Sequence, residues 1–256
     1  MQKRPSGTVT GAPNNTLRNG LRVLERIAGT HRDFAVSELA AALELPRSHV
    51  HRLLRTLVEA GYVLQSRDTR KYRSDHRILA LAGPFADNHP LRIHGGPVLR
   101  SLSGAARAAA YLAVCHQGAP LIVMSDYFGG AKKPSHLGLG ERLPRHASAF
   151  GKLFLALQRL DIPASELERR TPFTITTLRE LREETEKIRR QGYSVSRGEN
   201  TEAFYSFAAP VHGRAGELLG AIGLARKASA VDPREEKRLV GLVLKAADSL
   251  ALRLVE

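Results

Sequence analysis

The stretch ELPRSHVHRLL, residues 44–54, decides the fold. Pro46 stands where a helix can begin, because the first turn has no use for the missing N–H. Projected as a helix, residues 47–59 place Val50, Leu53, Leu54, Leu57 and Val58 on one face, which must pack on neighbouring elements. Ser48, Arg52, Arg55 and Glu59 lie opposite, and His49 and His51 flank them. The first two turns therefore present Arg47, Ser48, the flanking His49 and His51, and Arg52 outward from a helix start, with Arg55 one turn further on. The second helix of a helix-turn-helix meets base edges in the major groove with that end. Arginine can bond guanine with two N–H groups, serine or histidine can serve bases or phosphates, and the backbone N–H groups add phosphate affinity. Taken alone, such a face is as readily an ordinary solvated one, so its neighbours have to decide.

Upstream, Leu17, Leu21, Leu24 and Ile27 mark a helix ended by Gly29 and Thr30. Ser37 can cap a second helix carrying Leu39 and Leu43, with Glu38 well placed in its first turn. Downstream, Gly61 ends the third helix, and YVLQS (62–66) and KYRSD (71–75) read as strands joined by the turn RDTR (67–70). That hairpin carries Arg67, Arg70, Lys71 and Arg73. Three short helices and a basic hairpin make a winged helix-turn-helix over residues 15–76. Residues 1–14, rich in Gly, Pro, Thr and Asn, are expected to be a disordered arm. Its Lys3 and Arg4 are followed by Pro5 and Ser6 instead of an apolar run, unlike a signal peptide.

Charge supports the same reading. The 256-residue chain has a formal net charge of +14, which favours a polyanionic partner. Residues 1–85 hold 14 Lys and Arg against 7 Asp and Glu, and the remaining 171 hold 25 against 18. The same surplus on half the length makes the first third about twice as positive. A single cysteine, Cys115, excludes an internal disulfide and a cysteine-rich metal site and fits a reducing cytoplasm. No run of about 18 uncharged apolar residues is present, so no membrane-spanning helix is expected.

A linker helix is expected over 77–92, and helical pattern continues to about residue 107, with breaks near Gly83–Pro84 and around Gly95–Gly96–Pro97. From there strands alternate with helices, so residues 93–256 read as an α+β domain with a sheet flanked by helices. Two late strands are informative. Phe204, Ser206 and Ala208 share one face of the first, and Ala221, Gly223 and Ala225 share one face of the second. A sheet face this poor in bulk leaves room for a ligand beneath its covering layer, unless helices pack closely on it. The segment HASAFGK begins a helix with Ser148 as its cap, and the N–H groups of Ala149, Phe150 and Gly151 would attract a carboxylate. His146 nearby reads as a surface residue.

The segment VSELAAALELPRSHVHRLLRTLVEAGYV resembles the DNA-binding region of the IclR family of bacterial transcriptional regulators. RLPRHASAFGKLFLAL, GYSVSRGENTEAFYSFAAPV and GELLGAIGLA continue the likeness in order, from about residue 15 to near the end. The resemblance implies a homodimer, often paired into a tetramer, in which a winged helix-turn-helix is linked to a GAF-like domain with a central antiparallel sheet. Such a protein binds a pseudo-palindromic DNA operator, more often as repressor than activator, and senses a small effector, commonly a carboxylate or aromatic acid. Carried over by position, the effector would meet Leu143, Ala149, Phe150, Ser196, Ser206, Gly223 and Ala225. Only Ser196 and Ser206 of these are polar, which argues against tiny, strongly polar ligands. Phe204 and Phe150 could contact a ring, so a small aromatic acid or related carbonyl compound is expected, in a space roomier than a two- or three-carbon acid needs. The likeness departs at Glu44, where family members usually have glycine; a turn of slightly different shape is expected there.

An enzyme, or an interaction module on the sheet domain, is the alternative. Cys115 and His116 are adjacent on a strand and point to opposite faces, so they cannot act as nucleophile and base together. His49 and His51 diverge on a helix, and FGGAKK lacks the spacing of a phosphate loop. Neither catalysis nor a cofactor or metal is expected.

Overall fold

The computed structural model describes residues 14–30, 32–130 and 138–254. The arm expected over 1–14 lies, apart from its last residue, outside them. The chain divides into two compact units, residues 1–87 and 88–256.

The first unit holds α1 (Asn15–Ala28), α2 (Val36–Leu43), α3 (Arg47–Glu59), the strands β1 (Val63–Gln65) and β2 (Tyr72–Ser74), and α4 (Arg77–Asn88). Val23, Ile27, Leu39, Val50, Leu53 and Leu54 form its core with Phe34 and Tyr72. Phe34 also exchanges two backbone hydrogen bonds of 2.8 Å with Tyr72, fastening the loop before α2 to the wing. Asn14 caps α1 through its side chain. Four local expectations need correction. Ser37 does not cap α2: Ala35 occupies that position and offers no side-chain cap, and Glu38 accepts the Ala35 N–H at 2.6 Å, the glutamate half of a capping box without its serine half. Ile27 is buried as expected and Leu24 packs beside it, but Leu17 and Leu21 stay largely exposed and Val23 is buried in their place. Val58 is exposed as well, at the edge of the α3 face. At Glu44 the turn keeps its left-handed geometry, φ 55 and ψ 44, although the residue is not glycine.

The second unit begins with α5 (Pro90–Ala106) and contains β3 (Ala109–His116), β4 (Ala119–Tyr127), α6 (Ala149–Gln158), α7 (Leu178–Gln191), β5 (Ser194–Arg197), β6 (Phe204–His212), β7 (Leu218–Lys227) and α8 (Pro233–Arg253). The helical break falls at His89, not at Gly83–Pro84 or Gly95–Gly96–Pro97. Pro90 sets it: the residue before a proline is pushed out of the helical region, and His89 has ψ 119. Pro84 and Pro97 ride inside α4 and α5. The linker expected to reach residue 92 is accordingly shorter, and Leu91 is buried in the core of the second unit.

The five strands form one antiparallel sheet in the order β4–β3–β7–β6–β5. Alternation sends Leu112, Phe207, Ala209 and Ile222 to one face, against Leu99, Leu102, Leu239 and Val243 of α5 and α8. The other face carries Tyr111, Ala113, Ala208 and Ala221 beneath Phe150, Leu153 and Phe154 of α6. It is the face read from the sequence as poor in bulk.

Holding Glu44 left-handed costs roughly 1 kcal/mol that glycine would not incur. Glu44→Gly should therefore stabilise the protein by up to about 0.5 kcal/mol, once the freer unfolded chain is subtracted. Urea unfolding should show a higher midpoint at unchanged slope; a lower midpoint would mean that the glutamate side chain makes a contact worth more than the strain.

Candidate functional site: a basic helix and a small cavity

On α3, Arg47, Ser48, His51, Arg52 and Arg55 are exposed. The ion pairs of this unit, Arg32–Glu38 and His76–Asp75, lie elsewhere, so the three arginines are not neutralised by acids among the described residues. Pro46 supplies no side-chain cap. The N–H groups of Arg47 and Ser48 thus lack an intrahelical acceptor at the positive end of the helix. His49 is different. It is half-buried, with Nε2 at 3.3 Å from Asn19 of α1 and Nδ1 at 3.4 Å from Arg52. Its ring spaces α1 from α3 and orients Arg52, and it offers less to an outside partner than sequence suggested. In the wing, Arg67, Arg70, Lys71 and Arg73 are all exposed, and Arg70 takes a left-handed conformation, φ 56.

In the second unit, a cavity of about 70 Å³ opens between the sheet and the start of α6. Six of the eight residues named from sequence border it: Leu143, Phe150, Ser196, Phe204, Ser206 and Ala225. Ala149 and Gly223 do not. Ala149 is fully buried in the core under α6. At Gly223 a Cβ would stand 2.1 Å from the Phe207 carbonyl oxygen and 2.8 Å from Cζ of Phe150. The glycine makes space for Phe150, and none is left over for a ligand. The space is also tighter than expected. A cavity that accepts benzene measures about 150 Å³, twice this one, because Tyr111, Phe150 and Phe204 fill much of the room the small residues leave.

Ser148 caps α6 as read, accepting from Gly151 N–H at 3.0 Å while donating to the Pro144 carbonyl at 2.6 Å. Gly151 is required there: a Cβ would lie 2.3 Å from the carbonyl oxygens of both Pro144 and Arg145. The Ser196 hydroxyl donates to the Ala147 carbonyl at 2.9 Å. His146 is buried, not on the surface, with Nε2 at 2.9 Å from the Glu168 carbonyl oxygen. Sequence reasoning missed Tyr111, Asn200 and Thr201 at the cavity. It also missed the buried ammonium of Lys152, which meets Glu199 at 2.6 Å, the Val195 carbonyl at 2.8 Å and Glu184 at 3.0 Å. Burial pushes the Glu199 carboxyl above its ordinary range although Lys152 pulls it down, and Oε2 of Glu199 has no hydrogen-bond partner. Lys152 is thus balanced from within, and no lysine or arginine among the described residues lines the cavity. Cys115 is half-buried, and burial raises its thiol pKa, which keeps it a poor nucleophile. Among the described residues there is no cluster of three metal-binding side chains, and no helix is long and apolar enough to cross a membrane.

Residues 16–67 match the model of the IclR helix-turn-helix domain, and residues 85–252 match that of the bacterial transcriptional regulator IclR C-terminal domain. The chain is a member of the IclR family. It is similar to the transcriptional repressor IclR of Escherichia coli, 27% identical over 247 residues, 93% of this chain and 89% of that protein. A solved IclR-type regulator from Silicibacter sp. TM1040 superposes with a TM-score of 0.78 at 26% identity, covering 93% of this chain and 96% of that one. An IclR homologue from Microbacterium hydrocarbonoxydans, solved with 4-hydroxybenzoate, shares the fold with a TM-score of 0.76 at 24% identity, covering 93% and 98%. IclR-family proteins are ligand-responsive DNA-binding transcriptional regulators, not enzymes, and homologues such as the E. coli protein are repressors.

The Lys152 cluster yields a stability prediction. Removing the ammonium leaves two carboxylates buried without a counter-charge, so Lys152→Met should cost about 3–5 kcal/mol in urea unfolding. Adding Glu199→Leu should recover part of that loss. Were the double variant no better than the single one, the loss would come from packing of the lysine stem and not from unpaired charge.

Proposed function

We propose that this IclR-family protein is a repressor that binds a pseudo-palindromic operator as a homodimer and changes its DNA affinity when a small acid or carbonyl compound enters the cavity beside α6. The observation that carries the DNA reading is the unneutralised arginine face of α3. In this reading Arg47, Ser48, Arg52 and Arg55 face the major groove, with His51 at its border and His49 bracing Arg52. Arg70, Lys71 and Arg73 of the wing approach the backbone. The dimer, which could pair again into a tetramer, is supported by apolar side chains that the first unit leaves in solvent, Leu79 and Leu81 of α4 and Leu17 and Leu21 of α1. The site of action is the cytoplasm, where the operator is.

For the effector, Leu143, Phe150, Phe204 and Ala225 supply an apolar wall, and Ser206 with the first turn of α6 supplies hydrogen-bond donors. A short acid fits the cavity as it stands. An aromatic acid, such as the 4-hydroxybenzoate bound by the Microbacterium homologue, requires Phe150 or Phe204 to swing aside, and would then be held against these rings.

Two measurements test this. Arg52→Ala should weaken operator binding by about 1–3 kcal/mol if the residue reads a base, with affinity falling steeply as salt rises; an equal loss on scrambled DNA would reduce Arg52 to a phosphate contact. Calorimetry against pyruvate, glyoxylate, benzoate, phenylacetate and 4-hydroxybenzoate should find a binder. Ala225→Leu should abolish its effect on DNA and leave operator affinity intact. An Ala225→Leu protein that still responds normally would place the effector elsewhere.

A further inference from the structure

Tyr111 sits in the middle of β3, paired with Ser125 of β4 and Gly223 of β7, and its side chain borders the cavity on the face covered by α6. The residue is 3% exposed, and its hydroxyl is buried without a hydrogen-bond partner. Tyr127 stands edge-on, with ring centroids 6.2 Å apart, near enough to influence the hydroxyl but without a hydrogen bond of acceptable geometry. A buried polar group left in this state is rare in a folded protein and points to a partner that is not part of the chain.

The other polar groups around the cavity narrow what that partner is. The Ser148 and Ser196 protons are committed to the Pro144 and Ala147 carbonyls. Asn200 accepts from Arg170 at 2.9 Å. Lys152 is enclosed by two glutamates and a carbonyl. What remains is a set of donors without positive charge: the Tyr111, Ser206 and Thr201 hydroxyls, the Asn200 amide N–H groups and the N–H groups of Ala149 and Phe150 at the start of α6. Burial, and then Tyr127, raise the Tyr111 pKa far above its ordinary value, so the hydroxyl keeps its proton at any physiological pH and acts as a donor.

Resting on the reading of this cavity as the effector site, we propose that Tyr111 is the residue that selects the effector, donating its buried hydroxyl hydrogen to a carboxylate or carbonyl oxygen of a ligand that is otherwise apolar. The site then prefers compounds that present such an oxygen beside a small hydrocarbon group. It rejects isosteres lacking the oxygen, because they leave the hydroxyl unsatisfied.

The proposal predicts two effects of opposite sign for Tyr111→Phe in the full-length protein. Without ligand, the thermal midpoint should rise, since a buried unpaired hydroxyl is removed and the ring retained. With pyruvate, glyoxylate, benzoate and 4-hydroxybenzoate as probes, the tightest binder of the unaltered protein should lose about tenfold or more in affinity by calorimetry. A tyrosine with a merely structural role would lower the midpoint, and that result overturns the inference. Unchanged affinity with unchanged midpoint overturns it too, because a resident water then serves the hydroxyl. Absence of binding by all four probes to the unaltered protein counts against the cavity reading itself, whereas binding that Tyr111→Phe does not weaken counts against the role of Tyr111 alone.

Discussion

A single buried ammonium holds the second unit in its working shape. Nζ of Lys152 joins α6, which carries it, to α7 through Glu184, to β5 through the Val195 carbonyl, and to the loop after β5 through Glu199. Burying a lone ammonium would be prohibitive, and it is tolerated here because two carboxylates and a carbonyl replace its water. The α6 side of the cavity and its rim take their positions from that knot. Asn200 and Thr201 follow Glu199 directly, and Phe150 stands two residues before Lys152. Gly151 between them lets the first turn of α6 settle onto the Pro144 and Arg145 carbonyls. Thr171 and Thr174 bond the Glu199 carbonyl and steady the loop from its far side.

The two units treat positive charge in opposite ways. On α3 and the wing, arginines remain exposed and without an acidic partner among the described residues, as binding a phosphate backbone by counterion release requires. Inside the second unit the buried ammonium of Lys152 is compensated by two carboxylates and is not part of the cavity lining. A cationic pocket would hold any small anion by charge alone. A pocket of neutral donors must recognise an oxygen by position, and the apolar wall then decides what may surround that oxygen.

How far this could be read from sequence depends on the range of the forces involved. Helical periodicity located α3 and the exposure of Arg47, Arg52 and Arg55, since both follow from neighbours three and four residues away. Strand alternation assigned Ser206 and Ala225 to the face of the cavity. It could not separate them from Gly223 on that same face, because alternation gives the side of a sheet and not the depth beneath a helix; Phe150 decides that depth. Prolines misled in a consistent way. Pro84 and Pro97 have the look of breaks, yet the break is at Pro90, where the preceding residue was free to turn extended. The least legible residues were those whose burial depends on distant partners. Lys152 reads as a solvated helix lysine until Glu199, 47 positions on, is brought to it. His146 reads as a surface residue until Glu168 is. Tyr111 looks like one more strand aromatic in AAYLAVCH, and only its unpaired hydroxyl sets it apart.

Size and recognition meet at Phe150. A ligand can shift a regulator only by binding one of its states better than the other. A compound that fits the closed cavity and leaves its walls in place has little by which to discriminate. A compound that overfills it has to displace Phe150 or Phe204. Phe150 presses on Gly223 from the first turn of α6, and only Gly151 separates it along the helix from the Lys152 knot. The force of entry is therefore resisted by the same ion cluster that fixes the Asn200–Thr201 rim, and the rim and the start of α6 must yield together or not at all. The tightness of the cavity, which at first sight counts against a ring-sized effector, is what would make such an effector mechanically consequential.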